Sequence, residues 1–232
     1  MTRRWTYWVI GLFLISLLLF LPLRLMIGRL ADNGFTARQV AGTIWYGRIG
    51  ELSLKGQRLG TFEASLNPFA LLTGSISMGF SRMGDPEGPL TGSLISGVKR
   101  GVRGTTGRVA VTGLFGALPL DAIQFDDVTI LFRDGDCVDS SGRVTAFVAG
   151  VLPGTATGTG LVGSARCETG RVRLTMASAN GDQKVELLVR PDGSYRGWMT
   201  VRYLIPEVGA ALATAGFKPS SEGMMLSVDG RL

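Results

Sequence analysis

The sequence predicts a mainly β protein, in which a single N-terminal transmembrane helix precedes an antiparallel β-sheet domain with one short C-terminal helix. Three observations lead to this fold class. The 232 residues include 34 Gly and 9 Pro, too many for a fold of long helices. Runs of alternating apolar and polar residues recur along most of the chain. One long uncharged apolar run stands near the N-terminus.

The apolar run from Trp5 to Leu23 contains no charged residue. At ~1.5 Å per residue it spans most of a ~30 Å hydrocarbon layer. No Ala-x-Ala site follows it, so an uncleaved anchor is favoured over a cleaved signal peptide. Arg3 and Arg4 before the run favour a cytoplasmic N-terminus. We therefore expect a cytoplasmic segment (1–4), an inner-membrane anchor (5–27) and a periplasmic β domain (28–232).

Five runs alternate with the period of two that is typical of strands with one buried face. Turn sequences rich in Gly, Asp and Pro separate the runs, which favours an antiparallel sheet with one covered face. The apolar positions are Phe62, Ala64 and Leu66; Ile76, Met78 and Phe80; Val128, Ile130 and Phe132; Val172, Leu174 and Met176; and Val185, Leu187 and Val189.

One helix is predicted after the anchor, in the sequence IPEVGAALATAGFKP. Pro206 fits the first turn of a helix, and Glu207 suits its positive end. Gly216 is in the position of a C-terminal cap. A minor boundary within the β domain is possible at Gly116–Pro119.

The composition excludes several classes of site. The chain has no His, which rules out Ser-His-Asp triads and His-ligated metals, and its two Cys cannot form a four-thiolate zinc site. We expect no enzymatic activity, metal or cofactor. The net charge is +6, but the first 30 residues hold four arginines and no acid. This basic character belongs to the membrane flanks and does not indicate a nucleic-acid partner.

The two cysteines occupy similar places, because Cys137 and Cys167 each precede a Gly-Arg-Val that opens an alternating run. Neighbouring strands would bring them together, and a disulfide would fit an oxidising periplasm. Two unrelated buried thiols are the alternative interpretation.

A cluster of basic residues lies between positions 99 and 108, in the sequence KRGVRGTTGR. Such a cluster is a candidate contact for anionic lipid or an acidic protein. The alternative is a solvated Gly-rich hairpin. The basic residues are Lys99, Arg100, Arg103 and Arg108.

The sequence from position 42 to 74 has a motif of its own. A Gly-Thr-x-Trp-x-Gly start is followed by a Leu-Gly pair, Leu59–Gly60, and then by a Pro…Leu-Leu-x-Gly bend. The motif residues are Gly42, Thr43, Trp45, Gly47, Pro68, Leu71, Leu72 and Gly74. Further on come a strand around Cys167, the turn Pro191–Tyr195 and the pair Gly216–Phe217. This order after one membrane helix resembles the type II secretion system protein N family (general secretion pathway protein N).

The resemblance implies a non-enzymatic inner-membrane protein with a periplasmic β domain. Its role would be accessory to the export of folded proteins, with the secretin or the inner-membrane platform as partner. On this interpretation Trp45 belongs to the first strand of the domain and has a packing role rather than a partner contact.

A second interpretation is an AsmA-like lipid-handling protein with an open apolar trough. The residues expected to line that trough are Phe62, Ile76, Met78, Phe80 and Val128. A hydrolase fits poorly, because no G-x-S-x-G elbow is present. Periodicity cannot distinguish a covered sheet face from a lipid-filled one.

Overall fold

The structure is a computed structural model that describes residues 2–24, 35–54, 56–71, 74–82, 84, 88–149, 160–202 and 206–231. Helix α1 covers Thr2–Leu19. A four-residue helix, α2, covers Pro68–Leu71, and α3 covers Pro206–Thr214. Within the described parts of the chain, none of the helices combines the length and the apolarity needed to cross a membrane.

The rest of the described chain is predominantly one antiparallel sheet, as the alternating sequence predicts. Its strands are β1 Phe35–Thr36, β2 Gln39–Gly42, β3 Gly47–Leu54, β4 Gln57–Leu66, β5 Ser75–Arg82, β6 Leu90–Gly97, β7 Arg100–Ala110, β8 Leu120–Arg133, β9 Asp136–Val148, β10 Leu161–Glu168, β11 Arg171–Ala177, β12 Gln183–Val189, β13 Ser194–Val201, β14 Lys218–Ser220 and β15 Gly223–Arg231.

From β3 to β13 each strand pairs with the next one along the chain. β1 and β2 both pair with β3, while β15 pairs with β13 and carries β14 at the sheet edge. This meander brings sequence neighbours together, so two-residue turns suffice for several connections. The register of β8 against β9 shifts between Asp126 and Thr129, where Asp127 has a φ of 50°. This irregularity is a β-bulge.

The predicted C-terminal helix is confirmed as α3. Its single acidic residue in the first turn is Glu207. Beyond its last turn, the Phe217 N–H donates to the Leu212 carbonyl, and Gly216 has a φ of 91°, the left-handed conformation that favours glycine at a helix C-terminus. Leu212 points into the sheet and is fully buried.

The main core lies on the C-terminal half of the sheet, which we define as β7–β15. Alternate side chains of β11 and β12 are buried in it, including Met176 and Leu187. The connection between β7 and β8 also contributes, through Val111, Phe115 and Leu118. The expected minor boundary at Gly116–Pro119 is therefore wrong, because this segment packs into the core instead of separating two parts.

A smaller cluster lies on the N-terminal half, β1–β6. Its fully buried members are Leu23, Ile49 and Ala64. Leu23 lies four residues beyond the end of α1, and the segment from Leu21 to Leu23 pairs with residues 42–44. The Leu23 N–H donates to the Gly42 carbonyl (3.1 Å), and the Ile44 N–H donates to the Leu21 carbonyl (3.0 Å).

This junction lies within the expected anchor, 5–27, whose bounds stay a prediction. Helix α1 ends at Leu19, and Leu23 packs in the smaller cluster of the sheet. Residues 25–34 lie outside the described residues. Because Leu21–Leu23 runs antiparallel to residues 42–44, α1 lies beyond the end of the sheet at which β3 begins.

We call this end of the sheet the proximal end. Successive strands alternate in direction, so the connections that follow the even-numbered strands up to β12 all lie there. The described residues of the proximal connections are 43–46, 67–71, 74, 98–99, 134–135, 169–170 and 190–193.

Candidate functional site

The first part of the sequence motif forms a tight turn at the proximal end. The Thr43 N–H donates to the Tyr46 carbonyl (3.0 Å), and the Tyr46 N–H donates to the Thr43 Oγ1 (3.4 Å). Gly42 has a φ of 92°, and a Cβ there would meet the Tyr46 carbonyl oxygen at 2.5 Å. A side chain at position 42 is therefore excluded both by conformation and by space.

Gly47, the last glycine in this first part of the motif, makes room for Leu23, four residues beyond the end of α1. A Cβ at position 47 would approach Leu23 Cδ2 to 2.5 Å and the Thr43 carbonyl oxygen to 3.0 Å. Leu23 itself is only 1% exposed. The motif glycine and Leu23 thus form one packing unit that joins α1 to the sheet.

Trp45 does not occupy the place that the resemblance predicts. It lies in the turn between β2 and β3 rather than in the first strand, and its side chain is only half-buried. The expected placement is wrong because the positive φ of Gly42 ends β2 three residues earlier. Whether its contacts serve packing or a partner stays a prediction.

The second part of the motif forms α2, also at the proximal end. Asn67 Oδ1 accepts a hydrogen bond from the Phe69 N–H (3.0 Å), so Asn67 caps the helix, and Pro68 takes its first position. Gly74 has a φ of 70°, and Leu71 ends the helix. Leu72 lies outside the described residues. Both parts of the motif therefore lie at the proximal end, where the Leu66 N–H donates to the Ile44 carbonyl (3.1 Å).

An apolar groove lies on the inner face of the N-terminal half. Its volume is about 210 Å³. It is lined by Phe35, Ala37, Ile49, Leu52, Leu59, Phe62, Ala64, Met78, Phe80, Leu90 and Leu94. Ile49 and Ala64 also contact Leu23, so one part of the groove adjoins the junction with α1.

The expected trough residues divide between the two halves of the sheet. Phe62, Met78 and Phe80 line the groove, and the rings of Phe62 and Phe80 meet edge to face at 6.2 Å. Ile76 is half-buried and does not line it. Val128 was expected there as well, which is wrong, because it is buried in the main core.

Arg82 is a residue that the sequence analysis missed. It is fully buried, and its guanidinium donates to three backbone carbonyls: Leu59 (2.6 Å), Gly88 (3.2 Å) and Arg108 (2.6 Å). It also lies 5.9 Å from the centroid of the Phe62 ring. By joining β4 to β7 across β5 and β6, Arg82 curls the sheet around one end of the groove.

The sequence does carry a signal for Arg82. It continues the apolar register of β5 after Met78 and Phe80, so a charged residue stands where a buried one is expected. A buried cation needs several acceptors, and this points to a structural role.

The four basic residues expected to act together are separated by the structure. Arg108 has local partners: it lies 3.9 Å from Asp121 and 4.4 Å from the centroid of the Phe147 ring. Lys99 and Arg100 lie in the β6–β7 hairpin at the proximal end, and Arg103 lies further along β7. Of the four, Lys99 and Arg100 remain candidates for a contact near α1.

The disulfide between Cys137 and Cys167 is present in the structure, with Cα atoms 5.4 Å apart. It joins β9 to β10 near the proximal end. The regular pairing of β9 with β10 ends at Ser164 and Arg143, so the disulfide joins the two strands where they are no longer regularly paired. A backbone bond from the Cys137 N–H to the Gly170 carbonyl supports the same region.

A polar depression of about 500 Å³ lies on β10 and β11, next to the disulfide. Its charged residues are Arg166, Glu168 and Arg173, and Arg173 pairs with Glu168 at 2.6 Å. The sequence analysis missed this depression. The only available signal was that these residues share the polar face of adjacent strands.

Two titratable groups in the β12–β13 region have shifted pKa values. Hydrogen bonds from the Ser194 side chain and backbone lower the pKa of Asp192. Burial raises the pKa of Tyr195, whose hydroxyl donates to the Leu114 carbonyl at 3.2 Å. Both groups stabilise local structure. Among the described residues, no three His, Cys, Asp or Glu side chains come together as a metal site would require.

The fold and the site define a protein built from one curled antiparallel sheet, with an apolar groove beside its N-terminal helix. The family model for type II secretion system protein N matches residues 33–226. The chain therefore belongs to the type II secretion system protein N family, as the sequence motif suggests. No curated protein and no solved structure matches the chain significantly.

Proposed function

We propose that this chain is a non-enzymatic accessory component of the type II secretion machinery, held at the inner membrane and acting in the periplasm by docking to other components. The family match over residues 33–226 carries this proposal. The family is an accessory one, and its members are not known as enzymes.

The proposed attachment to the membrane uses α1. Its apolar side chains are exposed, among them Trp8, Leu12 and Phe13, and they need an apolar surrounding. We propose an anchor over 5–27 that contains α1 and a periplasmic domain over 28–232, with Leu21–Leu23 pairing with residues 42–44 where the anchor leaves the membrane. The cytoplasmic segment remains 1–4.

The disulfide supports a periplasmic location for the β domain. Disulfides persist in oxidising compartments and are rare where cellular thiols are kept reduced. Cys137 and Cys167 are both bonded, and the chain has no other cysteine. A chain labelled in intact cells should therefore show no reactive thiol before reduction.

For docking, we propose the polar depression on β10 and β11. It is larger than the apolar groove and offers both signs of charge, through Arg166 and Glu168, which suits a specific protein contact. The secretin and the inner-membrane platform are the partners that the family suggests.

The test is a secretion assay in the native host. Deletion of the gene should retain type II substrates in the periplasm, and the wild-type gene should restore their release. A charge-reversing pair, Arg166→Glu with Glu168→Arg, should restore it poorly while leaving the amount of folded protein unchanged. Arg38→Glu with Glu51→Arg, which reverses an exposed ion pair in the N-terminal half, is the matched control. Normal secretion in the deletion strain would reject the proposal.

The apolar groove favours a second candidate, lipid handling. Its walls are apolar, but at about 210 Å³ it is below the range of ~300–1,000 Å³ for pockets that enclose a drug-sized ligand. It could hold part of one acyl chain. This size is the reason that we rank docking first.

Photocrosslinking in intact cells separates the two candidates. A crosslinking residue would replace Met78 in the groove or Arg166 in the polar depression. Protein adducts from position 166 and none from 78 support docking, whereas lipid adducts from 78 support lipid handling. Val128, which is buried in the main core, is the control position and should give neither.

A further inference from the structure

Large apolar side chains are exposed at three neighbouring connections of the proximal end. Tyr46 is 65% exposed, Phe69 is 76% exposed and Val98 is 66% exposed. They lie in the connections β2–β3, β4–β5 and β6–β7, respectively, which are successive along this edge of the N-terminal half. Phe69 and Val98 lie within their connections, whereas Tyr46 also lines a depression over β4, β5 and β6.

The C-terminal half differs at the same end. Its proximal turns contain polar and glycine residues, at Asp134–Gly135, Thr169–Gly170 and Asp192–Gly193. Among the described residues, exposed large apolar side chains at the proximal connections are therefore confined to the N-terminal half, which Leu21–Leu23 joins to α1. General surface composition does not explain such a distribution.

The link between α1 and the sheet is short, so these exposed side chains lie close to the medium that surrounds α1. The helix ends at Leu19, and Leu21 already bonds to Ile44. Two residues of extended chain span at most about 7 Å. Phe20 between them is itself 74% exposed. The β domain thus has no spacer that would keep it away from a membrane that holds α1.

Two basic residues follow Val98 and add positive charge to this surface. Lys99 and Arg100 follow it in the same hairpin, and neither forms an ion pair with any residue that the structure describes. Basic side chains that lie close to a bilayer are attracted to its anionic headgroups. Aromatic residues such as Tyr46 favour the headgroup region.

We propose that the proximal end of the N-terminal half rests on the surface of an anionic bilayer. Tyr46, Phe69 and Val98 enter the headgroup region, and Lys99 and Arg100 contact lipid phosphates. This contact fixes the orientation of the β domain, so that the part of the apolar groove nearest Leu23 faces the membrane. The inference depends on the membrane attachment proposed above but not on a role in secretion.

The test measures depth in the bilayer with the full chain in nanodiscs that contain phosphatidylglycerol. The native cysteines are bonded, so single spin labels are introduced by Leu12→Cys, Phe69→Cys, Val98→Cys and Val162→Cys. Collisions with oxygen, which concentrates in lipid, are compared with collisions with a water-soluble nickel complex. Val162 is the control, because it is exposed on β10, away from α1.

We expect labels at 12, 69 and 98 to favour oxygen and the label at 162 to favour nickel. If the label at position 12 favours oxygen while the labels at 69 and 98 behave like the label at 162, α1 is in the bilayer but the proximal end does not contact its surface. That result would overturn the proposed surface contact. If the label at 12 also favours nickel, the membrane attachment and the surface contact are both overturned. Labels at 69 and 98 that change only when secretion partners are added would assign this surface to a protein instead.

A second measurement tests the charges. Lys99→Gln with Arg100→Gln should lower the equilibrium constant for the surface contact about 30-fold, from ~1 kcal/mol for each basic residue. Phosphatidylcholine nanodiscs should have a similar effect on the unchanged protein. Lys218→Gln with Arg202→Gln, at two exposed basic residues of the C-terminal half, is the matched control and should change nothing. Equal depth in both lipids, with and without the two basic residues, would contradict the phosphate contacts.

Discussion

The two halves of the sheet belong to one meander, but their apolar faces are covered to different extents. In the C-terminal half, that face is a closed core that includes Met176, Leu187 and Met199, all buried. In the N-terminal half, the corresponding face is an open groove, and its smaller cluster includes the buried Leu23, Ile49 and Ala64. The strands in both halves alternate in the same way, so alternation is not the cause of the difference.

The cause is what covers each face. In the C-terminal half, Leu212 of α3 and Phe115 of the β7–β8 connection lie over the sheet. In the N-terminal half, Leu23 covers only one part, and Arg82 curls the sheet at another. A sheet face becomes a core only where the chain returns over it. An uncovered apolar face remains available for a ligand or a partner.

The largest expected effect concerns the disulfide of the C-terminal half. Replacing both Cys137 and Cys167 by Ser should destabilise the protein by about 3–4 kcal/mol, because the bond closes a loop with a sequence separation of 30. Chemical denaturation followed by near-ultraviolet circular dichroism measures this change. Reductant should lower the unfolding midpoint of the unchanged protein but not of the double variant. An identical midpoint in both would show that the bond contributes little.

Two methionines compare the halves directly. Met176→Ala removes a fully buried side chain and should cost about 3 kcal/mol. Met78→Ala removes a half-exposed side chain from the groove wall and should cost about 1 kcal/mol. Denaturant unfolding of both variants gives the difference. Equal losses would mean that the groove is as closed as the core, and the comparison would fail.

Arg82 tests the boundary between the halves. Arg82→Met should destabilise the protein by about 2–3 kcal/mol, because the carbonyls of Leu59 and Arg108 would lose their charged donor in a buried place. Arg103→Met, on the exposed side of β7, should change stability by no more than about 0.5 kcal/mol. If both variants unfolded like the unchanged protein, the sheet would curl without this contact.

The junction with α1 predicts a coupled effect. Gly47→Ala should cost about 2 kcal/mol by forcing Leu23 from its place. In a Leu23→Ala background the same change should cost less, giving a coupling of about 1 kcal/mol in a double-mutant cycle. Thermal unfolding of the four proteins measures it. If the two losses of stability were strictly additive, Gly47 and Leu23 would not be energetically coupled.

The smallest effect is expected at Trp45. The ring is half-buried in a turn, so Trp45→Ala should cost about 1 kcal/mol, less than the 3–5 kcal/mol typical of a buried aromatic residue. Tyr46→Ala, at a more exposed neighbouring position, is the control. A loss near that of Met176→Ala would show that Trp45 packs as a core residue despite its position.

Local patterns determined much of this protein by sequence alone. Alternation located strands such as β11 and β12, and the Pro206–Glu207 start and Gly216 predicted α3. The similar surroundings of Cys137 and Cys167 indicated their pairing. These features depend on neighbours along the chain or on adjacent strands of a meander, so the information lies within short segments.

The tertiary structure alone decided which apolar face closed. Phe80 and Val128 belong to similar alternating runs, but one lines the groove and the other is in the core. The bonds from Arg82 to Leu59 and Arg108 and the contact between Gly47 and Leu23 were also decided there, because each joins residues that are 23 or more positions apart. Periodicity tells which side chains share a face. It cannot tell what lies over that face, since the covering segment is distant in sequence and close only after folding.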